Sequence, residues 1–266
     1  METYQLKKIT IIVLLLVNLA LLALLGQSAL QQRSAEQQAL MQLKDLYLSS
    51  GMELALDALP HAEKHSAATV QHSLDEEIAF AEAFLGKADL QESGSSMLYS
   101  SQLGAMRLRR NSAFELNMYT LTLTKEHCLS LMESLGYTAF PYQDGSNTIC
   151  LTQTIDAVPL VDTMATLHFS GDFLTSASGF YITGVKEGDP LSPYTAADAL
   201  SAFLQYALEQ DLPSLRVQSI SPTLRLSAET LFQSNLLPAW VIQTEKNSYC
   251  VSYGGEEITP LAAGIS

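Results

Sequence analysis

Cysteine is scarce in this chain and scattered: Cys128, Cys150 and Cys250, with no C-x-x-C pair. An odd, dispersed set excludes a dense disulfide framework. A single Cys150–Cys250 bridge would need both residues on strands; the simpler expectation is three thiols buried as small apolar side chains. Charge is also sparse, at 16% of residues, and positive charge sparser still, with 14 Lys and Arg against 28 Asp and Glu. A formal net charge of −14 excludes nucleic acid as a principal partner, because phosphate binding needs clustered cations. Missing too are the patterns G-x-x-x-x-G-K-[ST], G-x-S-x-G, H-E-x-x-H, S-x-x-K and G-x-G-x-x-G, the usual marks of nucleotide enzymes and common hydrolases.

Long apolar runs are equally rare, and the single exception sets the class. Ile9 to Leu25 is seventeen residues without a charge, polar only at Thr10 and Asn18, directly after Lys7 and Lys8. With its flanks it matches the thickness of a bilayer core, and the two lysines place residues 1–8 on the cytoplasmic side. Residues 9–26 are expected to be an uncleaved, single-pass anchor in the cell membrane, with the bulk of the chain extracytoplasmic. A cleaved signal peptide is the competing reading, but Gly26-Gln27-Ser28 makes a poor small-residue cleavage site. The outer part keeps 12 of the 14 basic and 27 of the 28 acidic residues.

Beyond the anchor, Leu30, Leu40, Leu43 and Leu46 recur at helical spacing among polar residues. So thin a stripe suits a stalk or a partner-binding helix over 27–60, broken at Ser49-Ser50-Gly51 and ended by Pro60. His61 to His72 reads as a polar linker. Ser73 opens a helix with Glu76 at capping-box spacing and Gly86 as its stop. The period then changes to two, giving strands around Met97–Tyr99, Ala105–Arg109 and Phe114–Leu123. A helix from Thr124 to Gly136 is followed by strands at Tyr137–Tyr142, Asn147–Thr154, Met164–Ser170 and Phe173–Thr183, with turns at Asp144-Gly145 and Gly171-Asp172. Pro190 and Pro193 mark a second linker. Thr195 to Asp198 starts another helix, running through Leu208, and strands Leu215–Leu226, Ala239–Glu245 and Tyr249–Tyr253 close the chain. Helix followed by meander, three times over (74–123, 124–183, 195–258), predicts an α+β protein: antiparallel sheets with helices on one face, paired into about two lobes. The lobes are 74–183 and a C-terminal unit at 195–258.

Chemistry-bearing clusters are weak. His61, His65 and His72 sit in a polar linker without a fourth ligand. His127 and Cys128, adjacent on a helix, point apart and have no orienting group. Asp75, Glu76, Glu77, Glu256 and Glu257 read as surface carboxylates, the first three favourable at a helix start. Trp240 is expected to point inward. No residue is assigned a catalytic, cofactor or metal role. Asn18 stands out: a side-chain amide near the bilayer midplane gains from a hydrogen bond to a second helix. It is the best candidate partner contact, with Val17 and Leu21 beside it.

Four segments together resemble the YycH/YycI regulatory proteins of Firmicutes, YycI most closely. They are the apolar span centred on Val17-Asn18-Leu19, the broken juxtamembrane helix from Tyr47 to Gly51 and on to Leu59-Pro60, the hairpin from Arg107 to Phe114, and the Leu236 to Ile242 strand followed by Tyr249 to Tyr253. The last pair is also similar to the PepSY-type α+β unit, although Gly254-Gly255-Glu256 departs from its usual acidic-glycine ending. The resemblance implies a membrane-anchored regulator of a sensor histidine kinase, WalK in that family, acting by contact. Its partners would be the kinase's transmembrane helices and a second, YycH-like regulator, and it would not be an enzyme. The alternative is an anchored PepSY-type binding or inhibitor module acting on an exported protease or cell-wall component.

Overall fold

A computed structural model describes residues 35–60, 66–139, 147–212, 214–228 and 234–261. The expected anchor, with Val17, Asn18 and Leu21, lies outside the described residues, as do His61, His65 and the Asp144-Gly145 turn. Among the described residues no helix is long and apolar enough to cross a membrane.

The α+β plan of helix-led antiparallel units in two lobes is not what forms. Fifteen described strands belong to one large mixed sheet, and the helices lie over it without dividing it into units. On one side, α2 (Leu74–Leu85) and α3 (Lys125–Ser134) accompany β3 (Asp89–Ser93), β4 (Ser96–Ser100), β5 (Gly104–Arg109), β6 (Ala113–Met118), β7 (Tyr137–Ala139), β8 (Thr148–Ile155) and β10 (Phe173–Phe180). On the other, α1 (residues 35–49) and α4 (Ala196–Glu209) accompany β1 (Glu53–Leu54), β2 (Ser66–Val70), β11 (Val185–Pro190), β12 (Arg216–Ala228), β13 (Ser234–Thr244), β14 (Ser248–Ser252) and β15 (Ile258–Leu261).

The long strand β9 (Val158–Ser170) belongs to both sides. One of its edges carries β8 along most of its length. The other carries β10 from Thr166 to Ser170 and, nearer its start, meets β12 in parallel at Leu160–Leu224. Two segments read as linkers are strands in this sheet. β2 pairs with β11 and with β13. The sequences SAATV and VKEGDP carry little strand signal of their own, so their partners specify them.

Two large apolar cores follow. In the first, Phe80, Phe84 and Leu85 of α2 pack on Tyr99, Met106, Leu108, Phe114 and Leu116, and Cys128 and Met132 of α3 join from the far end. In the second, Leu200 and Phe203 of α4 cover Trp240, Ile242, Tyr249 and Val251, and Leu40, Leu43 and Tyr47 of α1 complete the layer. The stripe expected to serve a stalk is therefore docked on the chain's own C-terminal core. Tyr47 replaces Leu46, which is exposed, and its hydroxyl donates to the Leu200 carbonyl at 2.8 Å. Each large apolar side chain so buried stabilises the fold by about 1.5–3 kcal/mol.

Trp240 points inward as expected, its Nε1–H donating to the Tyr194 carbonyl at 3.1 Å. α4 begins with a full capping box between Thr195 and Asp198. The one expected at Ser73 does not form: its side chain makes no cap hydrogen bond, and Glu76 reaches instead to the Gly184 backbone. Cys128 and Cys250 are buried, Cys150 half-buried, and none is in a disulfide.

Candidate functional site: a pocket at the head of helix α2

The chain segment 182–184 pins the start of α2. Buried Gln153 acts as a strand partner for Ile182, its Oε1 accepting from the Ile182 N–H (2.8 Å) and its Nε2 donating to the Ile182 carbonyl (2.9 Å). Thr183 Oγ1 then accepts from the Ser73 N–H at 3.3 Å, and the Gly184 N–H donates to Glu76 Oε2 at 3.1 Å. Gly184 also accepts from the Gln71 N–H, at φ 60°, and a Cβ there would run into the Gln71 carbonyl. Only glycine meets both demands.

This brings His72 and the first turn of α2 against the β5–β6 turn. That turn closes through Ser112 at φ 64°, and the Arg110 N–H donates to the Ser95 carbonyl at 3.1 Å, tying it to the β3–β4 hairpin. His72 bridges the two. Its Nδ1 lies 2.8 Å from Glu77 Oε1 and its Nε2 against the Arg110 carbonyl. Both neighbours are acceptors, so only the doubly protonated imidazolium satisfies them together. The pKa of His72 is raised above its ordinary value, chiefly by the Glu77 hydrogen bond and further by the Arg110 carbonyl, against an opposing effect of burial.

Beside this bridge is a cavity of about 290 Å³. Met97 and Leu108 give it an apolar floor, buried Glu77 lines it, and the exposed side chains of Leu74, Glu92, Arg109 and Arg110 stand at its rim. Arg109 is paired with Glu115 across the sheet. Beneath, the hydroxyl of Tyr99 is buried without a hydrogen-bond partner, and burial together with the charge of Glu77 pushes it up to about 12. The combination can hold an elongated group with an apolar stem and a polar end.

Of the residues weighed in the sequence, the structure brings His72 and Glu77 together: Glu77 is buried rather than a surface carboxylate, while His72 stays exposed to solvent on one side. His127 is exposed and Cys128 buried, so they do point apart, and burial pushes the Cys128 thiol up to about 11. Glu257 pairs with Arg225 at 3.0 Å in a second cleft, which Glu256 and Tyr253 also line. Among the described residues no three His, Cys, Asp or Glu side chains gather as metal ligands. Sequence reasoning missed the rim arginines as site residues. The signal was there: Arg107, Arg109 and Arg110 concentrate three of the 14 basic residues in four positions.

No family model matches the chain, and no curated protein does. Among solved structures it is similar to an uncharacterized protein from Eubacterium rectale, at 11% identity and a TM-score of 0.40, over 79% of this chain and 85% of that one. A likeness at that level carries no functional argument.

Proposed function

We propose that the chain is a single-pass, membrane-anchored regulatory protein. Its folded part lies outside the cell membrane, and it modulates a sensor histidine kinase of a two-component system by contact. The observation that supports this reading is the docking of α1. Leu40, Leu43 and Tyr47 are buried in the C-terminal core, and only residues 27–34 separate that fixed helix from the apolar run. Eight residues span at most about 28 Å. A tether of that maximum length keeps the outer domain beside the proposed anchor, where changes in its orientation would reach the membrane segment. Asn18, Val17 and Leu21 are the contacts through which the kinase's transmembrane helices would read them, and a YycH-like regulator is the expected partner for the outer domain.

The test is an anchor exchange in the full-length chain. Replacing residues 1–28 with an unrelated apolar span should abolish control of the kinase while the outer domain stays folded. Asn18→Leu should weaken co-purification with the kinase several-fold, in line with roughly 0.6–2 kcal/mol for a side-chain hydrogen bond in lipid. Regulation that survives the exchange would overturn the reading and leave the anchored PepSY-type module in its place.

A further inference from the structure

We propose that β3 is a docking edge for an extended, basic segment of a partner protein, which adds to the sheet as another strand and sets a side chain into the pocket at the head of α2. This goes beyond the anchored-regulator reading and stands without it.

The first observation is the state of the edges. Among the described strands β1, β3, β7, β11 and β15 each have one strand neighbour. Sheets blunt such edges with short strands, prolines, bulges or charges. β1 has two residues and β7 three; β11 is irregular between Glu187 and Pro190; β15 carries Pro260. β3 has none of the first three devices. Its five residues are in unbroken register with β4, from Asp89 opposite Ser100 to Ser93 opposite Ser96, and all five are exposed. Its outer row of N–H and C=O groups is a template for a further strand.

The second observation is what lies beside that edge. Leu90 pairs with Tyr99 and Glu92 with Met97, and Met97 with Leu108, so Leu90 and Glu92 share the face that α2 covers. The cover stops short: Leu90 is 39% exposed and Leu74 45%. The pocket opens there, over Leu74, Met97 and Leu108, with Glu92 at its rim. A strand added to β3 continues this face and aims every second side chain at the opening.

Charge selects the occupant. Asp89 and Glu92 are the charged residues of β3, and the strand has no Lys or Arg. Arg109 and Arg110 also line the pocket, Arg109 already paired with Glu115, so the selection is made on the strand edge at Glu92. A second copy of the chain would add two more carboxylates to the same edge, which disfavours self-pairing. A partner strand with Lys or Arg opposite Glu92 gains a cross-strand ion pair, and its methylene stem lies over Leu74 and Met97. An apolar residue two positions away falls opposite Leu90.

The test uses the full-length chain in detergent micelles and two probe peptides of alternating Thr and Val, one with a single central Lys, the other with Glu in its place. Hydrogen exchange and a binding titration are read together, with thermal melts confirming that each variant folds. The Lys peptide should protect the amides of Asp89–Ser93 and bind about fivefold more tightly than the Glu peptide, the scale of a favourable against an unfavourable cross-strand pair. Glu92→Lys should reverse that preference. Absence of protection at β3 up to about 1 mM peptide, protection at another edge instead, or a preference unchanged by Glu92→Lys would overturn the proposal.

Discussion

His72 shows how far one residue's role depends on its surroundings. In the sequence it is the third member of a loose histidine set in a polar stretch; in the structure it joins α2 to the β5–β6 turn through Glu77 and the Arg110 carbonyl. Its folded pKa is raised, so its contribution to stability is fully present below the unfolded value near 6.5. That contribution is lost as pH rises through the raised value. The difference in denaturation midpoint between the parent and His72→Gln should therefore be largest in mildly acidic solution and shrink as the pH rises. A difference that stayed constant across that range would show that the ring is held by packing alone. The partners that create this behaviour could not be read in advance: Glu77 is five residues away, but Arg110 is thirty-eight. Nothing in the local pattern joins them.

At the scale of elements, legibility followed periodicity. α4 was visible because Thr195 and Asp198 make a capping box ahead of an apolar face, and the turn at Gly171-Asp172 because its residues suit a tight reversal. β2, β3 and β11 were not, since SAATV, DLQES and VKEGDP have no alternation to betray them. α1 was legible as a helix but not as a docked one, because a thin stripe reads alike whether it faces a partner or its own chain. Two substitutions test these attachments. Tyr47→Phe removes the hydroxyl that donates to the Leu200 carbonyl and should cost about 1–2 kcal/mol in urea denaturation. Tyr47→Ala should cost about 3–5 kcal/mol and speed hydrogen exchange along residues 35–49. If Tyr47→Ala leaves that exchange unchanged, α1 is not held by this contact. Gly184→Ala, strained at its positive φ and driven into the Gln71 carbonyl, should cost at least the roughly 1–3 kcal/mol of the backbone strain alone and loosen the start of α2 more than α4.

For the whole molecule, the sheet decides how the parts act together. Because β9 meets β10 on one stretch and β12 on another, the pocket side and the α1 side share one hydrogen-bonded framework. A strand docking at β3, as proposed, would therefore act on the same sheet that α1 packs against. The expected two lobes failed for that reason: sequence order marks helices and turns, but not which strands from separate segments will meet. The proposed function requires this framework to stand outside a membrane that the N-terminal apolar run would cross. The most direct measurement is labelling of single introduced cysteines in intact cells with a membrane-impermeant maleimide. Glu126→Cys, on the exposed side of α3, should label without permeabilisation, and Tyr4→Cys only after it. Labelling of Glu126→Cys only after lysis, or recovery of the chain in the soluble fraction, would contradict the account.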